Sequence, residues 1–199
     1  MNIVSFRNLI LIGISMLLSA CSLQPVHVPS VSTYTLNSVS ELKFSHARTH
    51  ESMLVSIPTA SPAYQSSRMI YVEKPYELKS FANHRWVAAP SDMLLPLLVR
   101  SIQNTGRFHA VVSAPFVGLT DLRLDTQVLM LQQNFIQKPS QVDLTVRAEL
   151  VNNKTNTVIK SQIFSATVSA PSNNPYGGVV AANQATRQVL EEIAKFVGR

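Results

Sequence analysis

Cysteine, tryptophan and charge are all scarce in this sequence. Its 199 residues hold one cysteine and one tryptophan, and charged side chains make up 14% of it. With Cys21 alone, no disulfide can form within the chain, so stability has to come from an apolar core. Charge well below the usual quarter leaves Ser, Thr, Asn and Gln to make the surface polar, a composition suited to burial against partners. The formal net charge is +6, but the basic residues after Arg7 are scattered from Lys43 to Arg199 without a cluster, which excludes the footprint of a nucleic-acid partner. No apolar run approaches the ~20 residues that a membrane-spanning helix needs. A Gly-x-Ser-x-Gly elbow and a Gly-rich phosphate loop are both missing, and no second thiol is available; the expectation is that the protein is not an enzyme.

What is present begins at the first residues. Arg7, the apolar run Leu9–Leu18 and the small residues Ser19 and Ala20 have the order of a secretory signal. Leu18-Ser19-Ala20-Cys21 resembles the lipobox of bacterial lipoproteins. That resemblance implies cleavage before Cys21, a diacylglyceryl group on its sulfur and an acyl chain on its new amino group; no other cofactor is expected. One acyl chain binds a bilayer marginally, whereas two or three, at ~0.8 kcal/mol per buried methylene, hold firmly. Ser22 stands where an aspartate commonly marks inner-membrane retention in that class, so the expected location is the outer membrane, on its periplasmic face.

Three segments follow from this reading: residues 1–20 as signal peptide, residues 21–32 as lipidated cysteine and extended tether, and residues 33–199 as one folded domain. Loss of the signal leaves about 180 residues, enough for a single sizeable core. Pro25 and Pro29 keep Ser22–Ser32 extended, and at ~3.3 Å each those residues could hold the body ~35 Å from the lipid.

Within the domain, Tyr34–Leu36, Met53–Ile57 and Arg68–Val72 read as strands, with Tyr76–Phe81 as a short hairpin partner for the last. Pro90-Ser91-Asp92 offers a helix start, Leu94, Leu98 and Ile102 recur at helical spacing beside Leu95, and Gly106 supplies a stop. Pro96 means that this helix either begins near Leu95 or tolerates a missing hydrogen bond. Beyond Gly106 the period becomes two. After a short strand at Phe108–Val112, Leu122, Leu124, Thr126, Val128 and Met130 alternate with polar residues, and Val142, Leu144, Val146, Ala148 and Leu150 repeat the pattern. Asn152–Asn156 turns into a third long strand over Val158–Val168, completing an antiparallel meander. Pro171–Gly178 reads as a loop, and Val179–Val197 as an amphipathic helix. The order β-β-β-α-β-β-β-β-α predicts an α+β fold, a mostly antiparallel sheet with two main helices on one face.

Candidate sites are few. His46 and His50 share helical spacing, but no third ligand accompanies them and no metal site is expected. Asp121, Asp125 and Asp143 project from wet strand faces and could pair as glycosidase carboxylates; Arg123 and Arg147 on the same faces make ordinary solvated ion pairs the better reading. Asn153-Lys154-Thr155 matches a glycosylation acceptor, incidental behind a bacterial lipobox.

A wider resemblance rests on Tyr34-Thr35-Leu36, Met69-Ile70-Tyr71, Arg85-Trp86-Val87-Ala88-Ala89-Pro90 and the stretch from Pro175-Tyr176-Gly177-Gly178-Val179 to Ala185. In this order behind a lipobox, they resemble the ABC-type transport auxiliary lipoproteins of the PqiC and YmbA kind, which work beside MCE-domain lipid transporters. The resemblance implies a noncatalytic subunit that docks a periplasmic MCE protein with its ABC permease and ATPase, serving the movement of phospholipid or another apolar molecule. Arg85, Trp86, Tyr176, Gly177 and Gly178 are then the candidate partner contacts; for Trp86 the alternative is a plug in the core. Low charge and an open sheet edge also allow a homo-oligomer. The rivals are an assembly lipoprotein of the secretin or pilus pilot type, and a cell-wall enzyme.

Overall fold

The long alternating stretches organise the molecule. A computed structural model describes residues 30–45 and 47–198; the signal segment, Cys21, most of the tether and His46 lie outside the described residues. Strands β1 (Ser32–Tyr34), β2 (Ser52–Val55), β3 (Thr59–Ala60), β4 (Arg68–Lys74) and β5 (Glu77–Trp86) precede helix α1 (Pro90–Asn104). Strands β6 (Ala110–Ser113), β7 (Leu122–Asn134), β8 (Gln141–Asn152) and β9 (Thr157–Ser169) then lead to helix α2 (Pro175–Gly198).

Strand β7 is the spine of a single nine-stranded sheet. On one side it pairs antiparallel with β8, and β8 with β9, forming the expected meander. Its other side is lined in succession by β2, β3 and β4, all parallel to it. β6 extends this side beyond β2, β5 beyond β4, and β1 beyond β5. The long ladders are antiparallel, as expected, and the short ones between β7 and β2, β3 and β4, between β2 and β6 and between β1 and β5 are parallel, so the sheet is mixed and not purely antiparallel. The cause is that Ser52–Lys74 runs as one interrupted length of chain alongside β7, so each fragment meets the spine in the same direction. The two-residue β3 and the last residues of β5, through Trp86, extend beyond the predicted strands.

Both helices cover one face. Leu124, Leu144, Val146 and Ala148 of the sheet are buried against Leu98 and Ile102 of α1 and Ala181, Ala185, Val189 and Ile193 of α2. The alternation in β7 breaks where predicted burial fails: Val128 pairs with Val146 but Met130 with Thr145, so Leu129 is an extra residue. This bulge inverts the phase, and Leu131 and Gln133 face the core while Met130 is only partly buried.

Helix α1 starts at Pro90 and continues through Pro96. Pro96 lies on the exposed side with Asp92, so the carbonyl left without a partner is open to water. Gly106 ends the helix region with φ +66°, the conformation glycine adopts without penalty. Helix α2 begins four residues before the predicted start, which corrects the loop expected over Pro171–Gly178. Pro175 is tolerated in a first turn because its missing N–H needs no partner there, and Asn174 Oδ1 accepts the Gly177 N–H at 2.8 Å as the cap.

Candidate functional site: the aromatic end of the sheet

β1, β4, β5 and the residue after β7 place aromatic side chains toward the end of the sheet where β7 terminates. Tyr71 stacks on Phe81 with ring centres 4.4 Å apart, and Phe135 meets Tyr71 edge-on at 5.9 Å. Phe81 contacts His84 at 6.0 Å, and His84 stacks on Tyr34 at 5.8 Å. The Tyr34 hydroxyl lies 3.2 Å from His84 Nδ1, and the Tyr34 ring reaches Tyr176 at 6.3 Å. This band joins the first strand to the first turn of α2. Such contacts prefer offset or edge-on geometry and add to simple burial.

Of the five residues proposed for partner contact, two are accessible. Tyr176 is 63% exposed and Arg85 is exposed. Trp86 is only 4% exposed, within the core cluster, so the structure gives it the role of a plug. Gly177 and Gly178 are buried. A Cβ on Gly177 would stand 2.1 Å from the Ser172 carbonyl oxygen, and one on Gly178 2.2 Å from Gln133 Oε1. The two glycines thus let the capping loop and β7 approach α2; they are not presented outward.

Arg85 sits directly across from Arg68 in the β4–β5 ladder. Like charges opposite one another repel, and neither has a carboxylate within ion-pair distance among the described residues. Sequence alone could not bring these two together. Beneath the aromatic band is a gap of about 10 Å³ lined by Met69, Phe81, Trp86, Leu131, Gln133 and Gly178. That is room for at most one water. Gln133 Nε2 donates to Ser140 Oγ at 3.0 Å and to the Asn174 carbonyl at 3.2 Å, while its buried Oε1 has no partner among the described residues.

The three aspartates each have separate partners. Asp121 accepts from Lys154 Nζ at 2.7 Å and from the Ser52 amide and hydroxyl at 2.8 Å each. These bonds, that from Lys154 foremost, hold its carboxyl well below the usual carboxylate range. Asp125 pairs with Arg123 at 3.0 Å, and Asp143 accepts from Thr167 at 2.9 Å. Arg147 donates to Gln127 instead of a carboxylate; the cation missed in the sequence was Lys154, brought to Asp121 by the β8–β9 turn. Among the described residues no group of three or more His, Cys, Asp or Glu could hold a metal; His46, half of the candidate pair, lies outside them.

The fold is shared with solved structures. A Xanthomonas campestris protein of the DUF330 family superposes with a TM-score of 0.77 at 21% identity, over 84% of this chain and 95% of that one. A second, uncharacterized protein gives 0.68 at 15% identity over 85% and 99%. The hypothetical protein CT253 from Chlamydia trachomatis gives 0.53 at 10% identity over 75% and 96%. At these identities the likeness is one of fold. No curated protein sequence matches the chain. A family model does, across residues 34–194 from β1 through most of α2, and by that match the chain belongs to the ABC-type transport auxiliary lipoprotein components.

Proposed function

We propose that the chain is a noncatalytic lipoprotein subunit of an MCE/ABC-type lipid transport system, anchored to the outer membrane through acyl chains on Cys21 and docking the periplasmic part of the transporter. The observation that carries this reading is the family match over residues 34–194, read together with the lipobox at Leu18–Cys21. Ser22 supports the outer membrane as the destination.

The gap beneath the aromatic band, about 10 Å³, is far below the roughly 300–1,000 Å³ of a small-molecule site. The wider hollows, about 420 Å³ beside Phe164 and Val189 and about 500 Å³ beside Arg48 and Phe108, lie open at the surface, which favours docking over enclosure of a lipid. Arg85 and Tyr176, both accessible, are the residues we assign to partner contact, and the aspartates, each bonded to different partners, support a noncatalytic role. Capture of the crosslinked protein from membranes is expected to recover an MCE-domain protein and its permease or ATPase. Recovery of a secretion ring, or of no transport component, would refute the assignment. A Cys21→Ser chain is expected in the soluble periplasmic fraction.

A further inference from the structure

The chain enters the body from a defined end. β1 is parallel to β5, β5 antiparallel to β4, and β4 parallel to β7. β1 therefore runs against β7, and the residues before Ser32 approach from the end where β7 finishes at Asn134. The tip of the β4–β5 hairpin and the loop after β7 lie at this same end.

The hairpin tip is built in an unfavourable way for folding alone. Lys74 and Glu77 close the turn, and Tyr76 between them has φ +67°. At that position a tight turn favours glycine, because a Cβ is strained in the left-handed region. The Tyr76 side chain is fully exposed, so no contact within the body offsets the strain. Leu78 on the same tip and Ile136 in the neighbouring loop are exposed apolar residues. Lys74 and Lys138 flank them, exposed and without an ion pair among the described residues, and the tip's two glutamates, Glu73 and Glu77, are both held by Lys79.

An exposed tyrosine with apolar neighbours and free lysines is the side-chain set of a bilayer interface. The ring sits at headgroup depth, and lysines reach the phosphates while their stems lie along apolar surface. We propose that Tyr76, Leu78 and Ile136, flanked by Lys74 and Lys138, form a second, protein-borne contact with the phospholipid surface that seats this end of the body on the bilayer. The inference rests on the acylation of Cys21 proposed above. Counted back from Ser32, the first residue of β1, eleven residues can span at most ~40 Å, so an anchor on Cys21 keeps the entry end of β1 within reach of the bilayer. The opposite end, beside the start of β7, carries the loop Ala114–Leu119, whose exposed Val117 and Leu119 have no lysine or arginine beside them in sequence.

The test uses the full mature, acylated protein in vesicles of phosphatidylethanolamine and phosphatidylglycerol, with Tyr76→Trp or Val117→Trp as the probe. The unsubstituted protein supplies the background from buried Trp86. Flotation and intact mass report the anchor, and fluorescence reports the tip. The expected result is flotation, with the Tyr76→Trp probe blue-shifted, dimmed by lipid brominated on its acyl chains and shielded from iodide, while the Val117→Trp probe stays open to iodide. Flotation with the first probe open to iodide overturns the contact and leaves the anchor standing. Shielding from iodide without dimming by brominated lipid overturns it in favour of protein, such as a second copy of this chain. A protein without acyl chains that fails to float removes the anchor, and the inference falls with it.

Discussion

Replacing Gly177 with alanine sets helix propensity against packing. Alanine is favoured over glycine inside a helix by about 1 kcal/mol, so an open site would gain from the change. Here the new Cβ would lie 2.1 Å from the Ser172 carbonyl oxygen and 2.6 Å from its hydroxyl, and a backbone atom gives way poorly. Overpacking of this kind costs about 1–3 kcal/mol. Displacing Ser172 also disturbs its 3.0 Å bond to Asn174 Oδ1, the atom that caps α2, and a lost cap costs about 1 kcal/mol more. Packing wins, with a net loss of about 1–3 kcal/mol. At ~2–4 °C per kcal/mol for a domain of this size, the melting temperature should fall by about 2–12 °C. The assay is thermal unfolding by circular dichroism of the unacylated Cys21→Ser chain, with Gln184→Ala on the exposed side of α2 as the control for propensity alone. A melting temperature that rises in Gly177→Ala would show that the loop does not pack against the first turn, and the reasoning would fail.

The remaining predictions use other contacts. Because the folded-state pKa of Asp121 is depressed, its bonds to Lys154 and Ser52 stabilise the fold above the unfolded carboxylate pKa of about 4 and lose that contribution as pH falls. Urea midpoints measured from neutral to acid pH should fall less in Asp121→Asn than in the parent; parallel curves would contradict the assigned bonds. Trp86→Ala should cost about 3–5 kcal/mol of stability as a core truncation, whereas Tyr176→Ala should cost no more than about 1 kcal/mol yet weaken recovery of the transport partner. Equal destabilisation by both would mean that the exposed ring is structural.

Periodicity was a good guide wherever a side chain's face was decided by its immediate neighbours. β8 shows this, since all five apolar residues from Val142 to Leu150 are buried as the alternation required. In α1 the apolar residues Leu94, Leu98 and Ile102 are likewise inside. The pattern fails in β7 at Leu129, where one inserted residue reverses the faces, because a bulge depends on the partner strand and leaves no mark in the alternation. It fails again at Gly177 and Gly178, which read as loop residues. Only the approach of Ser172 and Gln133 shows why a helix would carry glycines in its first turn.

Some features of this protein were settled by the chain locally: the α+β class, the meander and the two apolar helix faces all follow from residue type and short spacing. Tertiary structure alone decided the parallel placement of β2, β3 and β4 along β7, the burial of Trp86 and the meeting of Arg68 with Arg85. It also decided which end of the sheet the first strand enters. The physical reason is that hydrophobic spacing records whether a side chain is buried, while pairing direction, register and partner are chosen by residues that meet only when distant parts of the chain share one core.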